Sequence, residues 1–370
     1  ILNTYTNENN FLHVLSKLDN APIKETKKSR WEKLQVISTL LSNDASSGRY
    51  KILLNGFEKK IKKRQQKHVD SVLQRGFGAP GLEAIEKISK LSKETKILML
   101  NENHWKPNHR IMAQKLLKPL KDNGYTYLAV EAVDKGGEKT LNSRKYPTKN
   151  TGYYTRESYF GLFLREALKL NYKIISYDDF DTNNREQKQA ENIKAILDND
   201  ATAKIFVYAG FDHILEHNPS KKRMAEYVKE LTGINPVTID QAEIIADTQE
   251  NISLVKSEYF QQARKINTNV DYFLINNIVP KLNLHFKASK LSDISIEDET
   301  LSNYLHRKVL VSVYYKDEYE NHKSNSVPLI NKIVDIQGSS IVLNLPTLEL
   351  VVKIMDENNN LILLKNIESR

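Results

Sequence analysis

Glu102 and His104 stand two residues apart, just past the apolar run Ile97–Leu100. A histidine with a pKa near ~6.5 takes and returns protons at neutral pH. A carboxylate beside it fixes its tautomer and stabilises its charged form. Similar groups follow other short apolar runs. Glu131 ends the run Tyr127–Val130. Asp178, Asp179 and Asp181 follow Ile174–Tyr177, and Gly210, Asp212 and His213 follow Ile205–Tyr208. Asp240 and Gln241 follow Val237–Ile239. Loops after strands are often polar, so single acids mean little. Two histidines and two glutamates on three run ends suit general acid–base work: His104 as base, Glu102 or Glu131 orienting it, and His213 polarising a carbonyl or protonating a leaving group. The same four groups carry N and O donors, so Glu102, His104, Glu131 and His213 are also candidate metal ligands.

For these residues to meet, the runs must be neighbouring strands. Between them lie helical patterns over roughly 108–122, 156–170, 184–198 and 221–232. Strands alternating with helices imply crossover connections. The expected fold is α/β, a mainly parallel sheet with helices on both faces. Ligands of such sheets bind outside the carboxyl ends of the strands. Residues 1–80 read as a helical N-terminal region, on the spacing of Phe11, Val14, Leu15 and Leu18 and of Leu34, Ile37, Leu40 and Leu41. The stretch GFGAPG at 76–81 reads as a boundary. Residues 84–245 form the expected α/β core domain, 246–300 a helical connector, and 301–370 a β-rich accessory domain. A chain ending near Asp298 is expected to keep the core fold.

Of the 370 residues, 40% are hydrophobic and 27% charged, enough for a substantial core. No apolar run approaches the ~20 residues of a membrane span. With no cysteine, disulfides, thiol catalysis and cysteine-ligated zinc are excluded. Lack of cysteine suits export as well as the cytosol, and a periplasmic or surface location is slightly favoured. The net charge of +9 is concentrated in KKIKKRQQK at 59–67. That run reads as the solvated face of a helix rather than a phosphate-binding patch, so nucleic acid is not an expected partner. His213-Ile-Leu-Glu216-His217 spells the inverzincin pattern H-x-x-E-H. The motif needs a helix, and Asn218-Pro219 leaves room for one short turn, so His217 is read as incidental.

Four segments in order, LMLNENHWKPNHR, YLAVEAV, REQKQAENI and KIFVYAGFDHI, resemble the erythromycin esterase / ChaN-like superfamily, with TIKI/TraB-type proteins as more distant relatives. The resemblance covers roughly residues 95 to 240. It implies a site of Glu102, His104, Glu131, Arg185, Glu186 and His213, with Arg185 binding an anionic group or holding a carboxylate in place. The family's activities are macrolactone ester hydrolysis, haem binding and metal-dependent proteolysis. Fold and site therefore transfer better than reaction. The leading expectation is a hydrolase in which water attacks an ester, lactone or amide of a small-molecule or peptide substrate. No Gly-x-Ser-x-Gly nucleophile elbow is present. The rival expectation is a haem- or metal-binding protein without turnover, with His104, His109 or His213 as ligand and His109 and Asp178 as the cofactor-binding candidates. A third is a degenerate, non-catalytic member. Whether the cofactor is a divalent metal, haem or none stays open. Asn101 replaces the family's glycine before the glutamate. Asn tolerates the left-handed backbone a glycine there would use.

Overall fold

The computed structural model describes residues 10–20, 26–180, 183–263, 265–281 and 291–368; Asp181 lies outside them. The N-terminal part is helical: α1 (Phe11–Asp19), α2 (Lys27–Leu41) and α3 (Gly48–Gln74). Next come β1 (Gly78–Pro80), α4 (Gly81–Lys93), β2 (Ile97–Glu102), α5 (Pro107–Asp122), β3 (Tyr127–Val130), α6 (Gly137–Arg144) and α7 (Ser158–Lys169). They are followed by β4 (Lys173–Ser176), α8 (Arg185–Asn199), β5 (Ile205–Gly210), α9 (Met224–Thr232), β6 (Val237–Asp240), β7 (Ile252–Lys256) and β8 (Tyr272–Asn276). The remaining elements are β9 (Leu291–Glu297), β10 (Lys308–Tyr315), α10 (Lys316–His322), β11 (Ile330–Asp335), β12 (Ser340–Pro346), β13 (Glu349–Asp356) and β14 (Leu361–Glu368).

The chain divides into two compact units. One comprises Asn55–Tyr146 and Phe163–Val279. Its sheet runs β1-β7-β8-β6-β2-β5-β3-β4, parallel from β8 to β4 and antiparallel at β7. Every residue of β2 and of β5 is buried, which is why these strands read as unbroken apolar runs and not as alternating ones. The helix α8 buries Glu186, Gln189, Ala190, Ile193 and Ile196, one helical face, and Ile193 shares a core with Ile205 and Val207. Because β5 pairs with both β2 and β3, the carboxyl ends of these three strands lie side by side.

The second unit comprises Ile1–Leu54, Pro147–Leu162 and Pro280–Arg370. It holds the antiparallel sheet β11-β10-β13-β14 and the pair β9–β12. Phe11, Val14, Leu15, Leu40 and Leu41 are buried in one cluster with Leu310 of β10. The Nδ2 of Asn10 donates to the carbonyl of Asp356, and the Ile333 N–H donates to Asp44 Oδ2.

This division differs from the four-part layout expected above. Of the expected helical region 1–80, α1 and α2 share a core with β10 of the tail, whereas α3 from Asn55 on belongs to the first unit and buries Val69 and Val72 there. The segment 246–300 is not a helical connector. It supplies β7 and β8 to the main sheet, and β9 pairs with β12. Strands of five residues buried along almost their whole length cannot be told from helix by periodicity. The stretch at 76–81 is likewise an edge strand and a helix start rather than a boundary. Pro80 is tolerated there because it ends a strand at the sheet edge. A chain ending at Asp298 lacks β10 to β14, so β9 loses β12 and α1 and α2 lose their apolar cover. Such a chain is expected to bind a hydrophobic dye and to lose part of its thermal transition. An unchanged transition would show that the helices do not depend on the strands.

Candidate active site

Glu102, the last residue of β2, is 2% exposed. Its Oε1 lies 2.8 Å from His104 Nδ1. Arg110, in the first turn of α5 and fully buried, donates from Nε to Oε2 at 3.0 Å. The hydroxyl of Tyr208, on β5, donates to the same oxygen at 2.9 Å. Burial pushes the Glu102 carboxyl up, but the Arg110 charge, His104 and Tyr208 outweigh it and hold it below the usual range. An ionised carboxylate only accepts hydrogen bonds, so the proton of neutral His104 sits on Nδ1. Its Nε2 is the basic nitrogen. Arg110 also donates to the His104 carbonyl at 2.5 Å, holding the loop that carries the ring.

Glu131 follows β3. Its Oε1 accepts from Arg185 at 2.8 Å and lies 3.5 Å from His213 Nε2; its Oε2 accepts the Gly210 N–H. Burial raises the Glu131 carboxyl, and the contacts with His213, His104 and Gly210 more than reverse that, leaving it strongly depressed. The missing side chain of Gly210 makes room between two of the groups. A Cβ there would fall 2.9 Å from Glu131 Oε2 and His104 Cε1, and 3.1 Å from His104 Nε2. His104 and Glu131 thus face one point above the end of β5. Gly210→Ala would force two anchored side chains apart. The expected cost is about 1–3 kcal/mol of stability, measurable by urea unfolding, together with a loss of any activity. Unchanged stability would show that the hollow yields freely.

His213 lies in the turn after β5. Its Nδ1 is 2.8 Å from Glu186 Oε2. Burial alone would lower its pKa, but Glu131 and Glu186 raise it to about 9, so the ring is cationic at neutral pH. Glu186 is in the first turn of α8. It accepts from Arg223 at 2.9 Å and from the Met224 N–H, at the start of α9, at 2.9 Å. Burial raises Glu186, while His213 and Arg223 bring it down to about 2. Arg185 opens α8 and donates to both oxygens of Asp178, at 2.9 and 2.6 Å, as well as to Glu131. Gln189 adds a bond to Asp178 at 2.7 Å. Arg185 is therefore a clamp on two carboxylates.

Asn101 lies within β2 with ordinary strand backbone, so left-handed tolerance is not what the position uses. Its side chain accepts from the Gln241 N–H and donates to the Phe211 carbonyl. The Gln241 amide reaches the Asn101 carbonyl and accepts from Asn276. Asn276 and Asn108 exchange bonds with each other's carbonyls. This amide ladder ties β2, β6, β8, α5 and the turn after β5 together below the cleft.

The structure thus brings Glu102, His104, Glu131, Arg185, Glu186 and His213 to one sheet edge, with Asp178 behind Arg185. His109 does not reach the cleft. It is buried, its Nδ1 accepts from the Asn103 N–H, and burial, Lys106 and Arg110 keep it neutral. His217 is exposed and follows a short turn instead of lying on a helix with His213. Glu216 turns away and accepts from Thr238 at 2.6 Å. No three His, Asp or Glu side chains are arranged to hold a metal ion among the described residues. The carboxylates of the four candidate ligands are already met by Arg110 and Arg185, so a divalent cation does not fit this donor set. Sequence reasoning missed Arg110, Tyr208 and Arg223. Tyr208 sits inside an apolar run and reads as core. Arg110 and Arg223 look like ordinary helix-end charges.

No family model and no curated protein matches the chain. Distant structural likeness is found to the type III effector HopBA1, with a TM-score of 0.36, 10% identity, and coverage of 51% of this chain and 91% of that one. A structure described for cofacial haem binding to ChaN of Campylobacter jejuni gives 0.35 and 12%, covering 52% and 91%. RRSP, a MARTX toxin effector domain from Vibrio vulnificus, gives 0.33 and 12%, covering 63% and 51%. These likenesses are remote.

Proposed function

We propose that the chain is a hydrolase in which water attacks the carbonyl of an ester, lactone or amide, with His104 as general base and His213 as general acid. One observation carries the reading: two histidines border the same carboxylate, Glu131, and each is held at its Nδ1 by a second one, His104 by Glu102 and His213 by Glu186. Glu102 engages Nδ1 of His104, so Nε2 is the proton acceptor toward the Gly210 hollow. Glu131 and Glu186 keep His213 charged, so it is a donor. In the attack, the water oxygen bonds to the carbonyl carbon as its proton passes to His104. The carbon–oxygen or carbon–nitrogen bond then breaks, and the leaving group takes a proton from His213. Glu131, between the rings, stabilises both cationic forms. Arg110, Tyr208, Arg185 and Arg223 position these groups.

The test is turnover of a panel of ester, lactone and peptide substrates across pH. The rate should fall as pH rises through about 9, where His213 loses its proton. Glu186→Gln removes one of the carboxylates holding that proton, and should move the alkaline limb down by roughly one unit or more. A profile flat to pH 10, or no hydrolysis of any member, would reject the assignment.

A further inference from the structure

Two phenylalanines beside the site residues are left in solvent. Phe211, directly after Gly210, is 39% exposed and leans on the buried Trp105, with ring centroids 5.9 Å apart. Phe180, two residues after Asp178, is 68% exposed, and the Arg185 guanidinium lies 4.5 Å from its ring centre. Aromatic rings beside a few convergent polar groups are the usual lining of a small-molecule site, and these two could cover a ligand's apolar part. Each cation there is already paired with carboxylates. Arg110 faces Glu102, Arg185 faces Glu131 and Asp178, and Arg223 faces Glu186 and Asp212. The cationic His213 lies between Glu131 and Glu186. An anionic substrate would have to displace one of these carboxylates from its arginine, whereas a neutral one displaces nothing.

Resting on the hydrolase reading, we infer that the substrate is a neutral acyl compound with an aromatic or bulky apolar group beside the scissile bond, held against Phe180 and Phe211. Arg185, which also holds Glu131, braces the Phe180 ring, and Trp105, the residue after His104, braces Phe211, the residue after Gly210. The carbonyl then lies over the Gly210 hollow, with the apolar group at the mouth.

The test is binding, read separately from turnover. N-acetyl-phenylalaninamide, N-acetyl-alaninamide and the amide of N-acetyl-aspartate are titrated into the full chain at pH 7 and followed by NMR. The phenylalanine probe should bind about tenfold or more tighter than the alanine probe, and the aspartate probe weakest. Phe180→Ala and Phe211→Ala should each erode that preference, and the double variant should abolish it, with circular dichroism unchanged because both rings are exposed. Phe211→Leu should keep part of it. Equal affinity for the three probes, tightest binding of the aspartate probe, or a preference that survives the double variant would overturn the inference. A preference lost in the variants, alongside no turnover of any substrate, would uphold the recognition and reject the hydrolysis.

Discussion

Arg110→Met should cost about 3–5 kcal/mol of stability, the usual loss when one partner of a buried ion pair is removed. Arg110 and Glu102 are almost wholly buried, and the guanidinium also holds the His104 carbonyl. Without it, the largest contribution that holds the Glu102 carboxyl down against burial is lost, and its pKa should rise. The double variant Arg110→Met, Glu102→Gln should recover much of the loss, because no buried charge is left alone. Denaturant unfolding of the two variants and the parent measures this. A single-variant cost under about 1 kcal/mol, the range of exposed pairs, would show that water reaches Glu102.

His104→Ala should lower hydrolysis by about 10²–10⁴-fold, the usual contribution of a general base. His217→Ala should leave most of it, since an exposed side chain away from the cleft changes stability by about 0.5 kcal/mol or less. The pair separates the strand-end reading from the H-x-x-E-H reading, because each names a different second histidine. Equal, severe losses in both variants, with loss of bound zinc, would restore the metalloprotease pattern. Folding is checked by circular dichroism on the same samples.

The strands that present the site could be read from the sequence because β2 and β5 are buried on both faces, and their apolar runs stop where the polar groups begin. The alternation of strand and helix then placed Glu102, Glu131 and His213 on the same edge. What could not be read was pairing. Glu186 meets His213 only because α8 starts beside the turn after β5, and no spacing in the chain encodes that. Arg110 is eight residues from Glu102, and only the turn at Asn103–Lys106 folds it back. The union of N-terminal helices with C-terminal strands was hidden for the same reason. Amphipathic helices announce an apolar face but not what covers it.

The amide ladder below the cleft gives the sheet edge two halves with different responses to acid. Asn101, Gln241, Asn276 and Asn108 carry no charge, so their bonds to one another involve no titrating group. The backbone N–H groups of Gly210 and Met224 instead donate to Glu131 and Glu186. Both carboxyls have lowered pKa values, so the stability they contribute is present above about 4.5 and is lost as pH falls, toward about 2 for Glu186. Acid therefore loosens the His213 side first. Amide hydrogen exchange at Gly210 and Met224 would quicken, relative to its intrinsic rate, while Gln241 stays protected. Exchange that quickens equally at Gln241 would show that acid opens the whole edge at once.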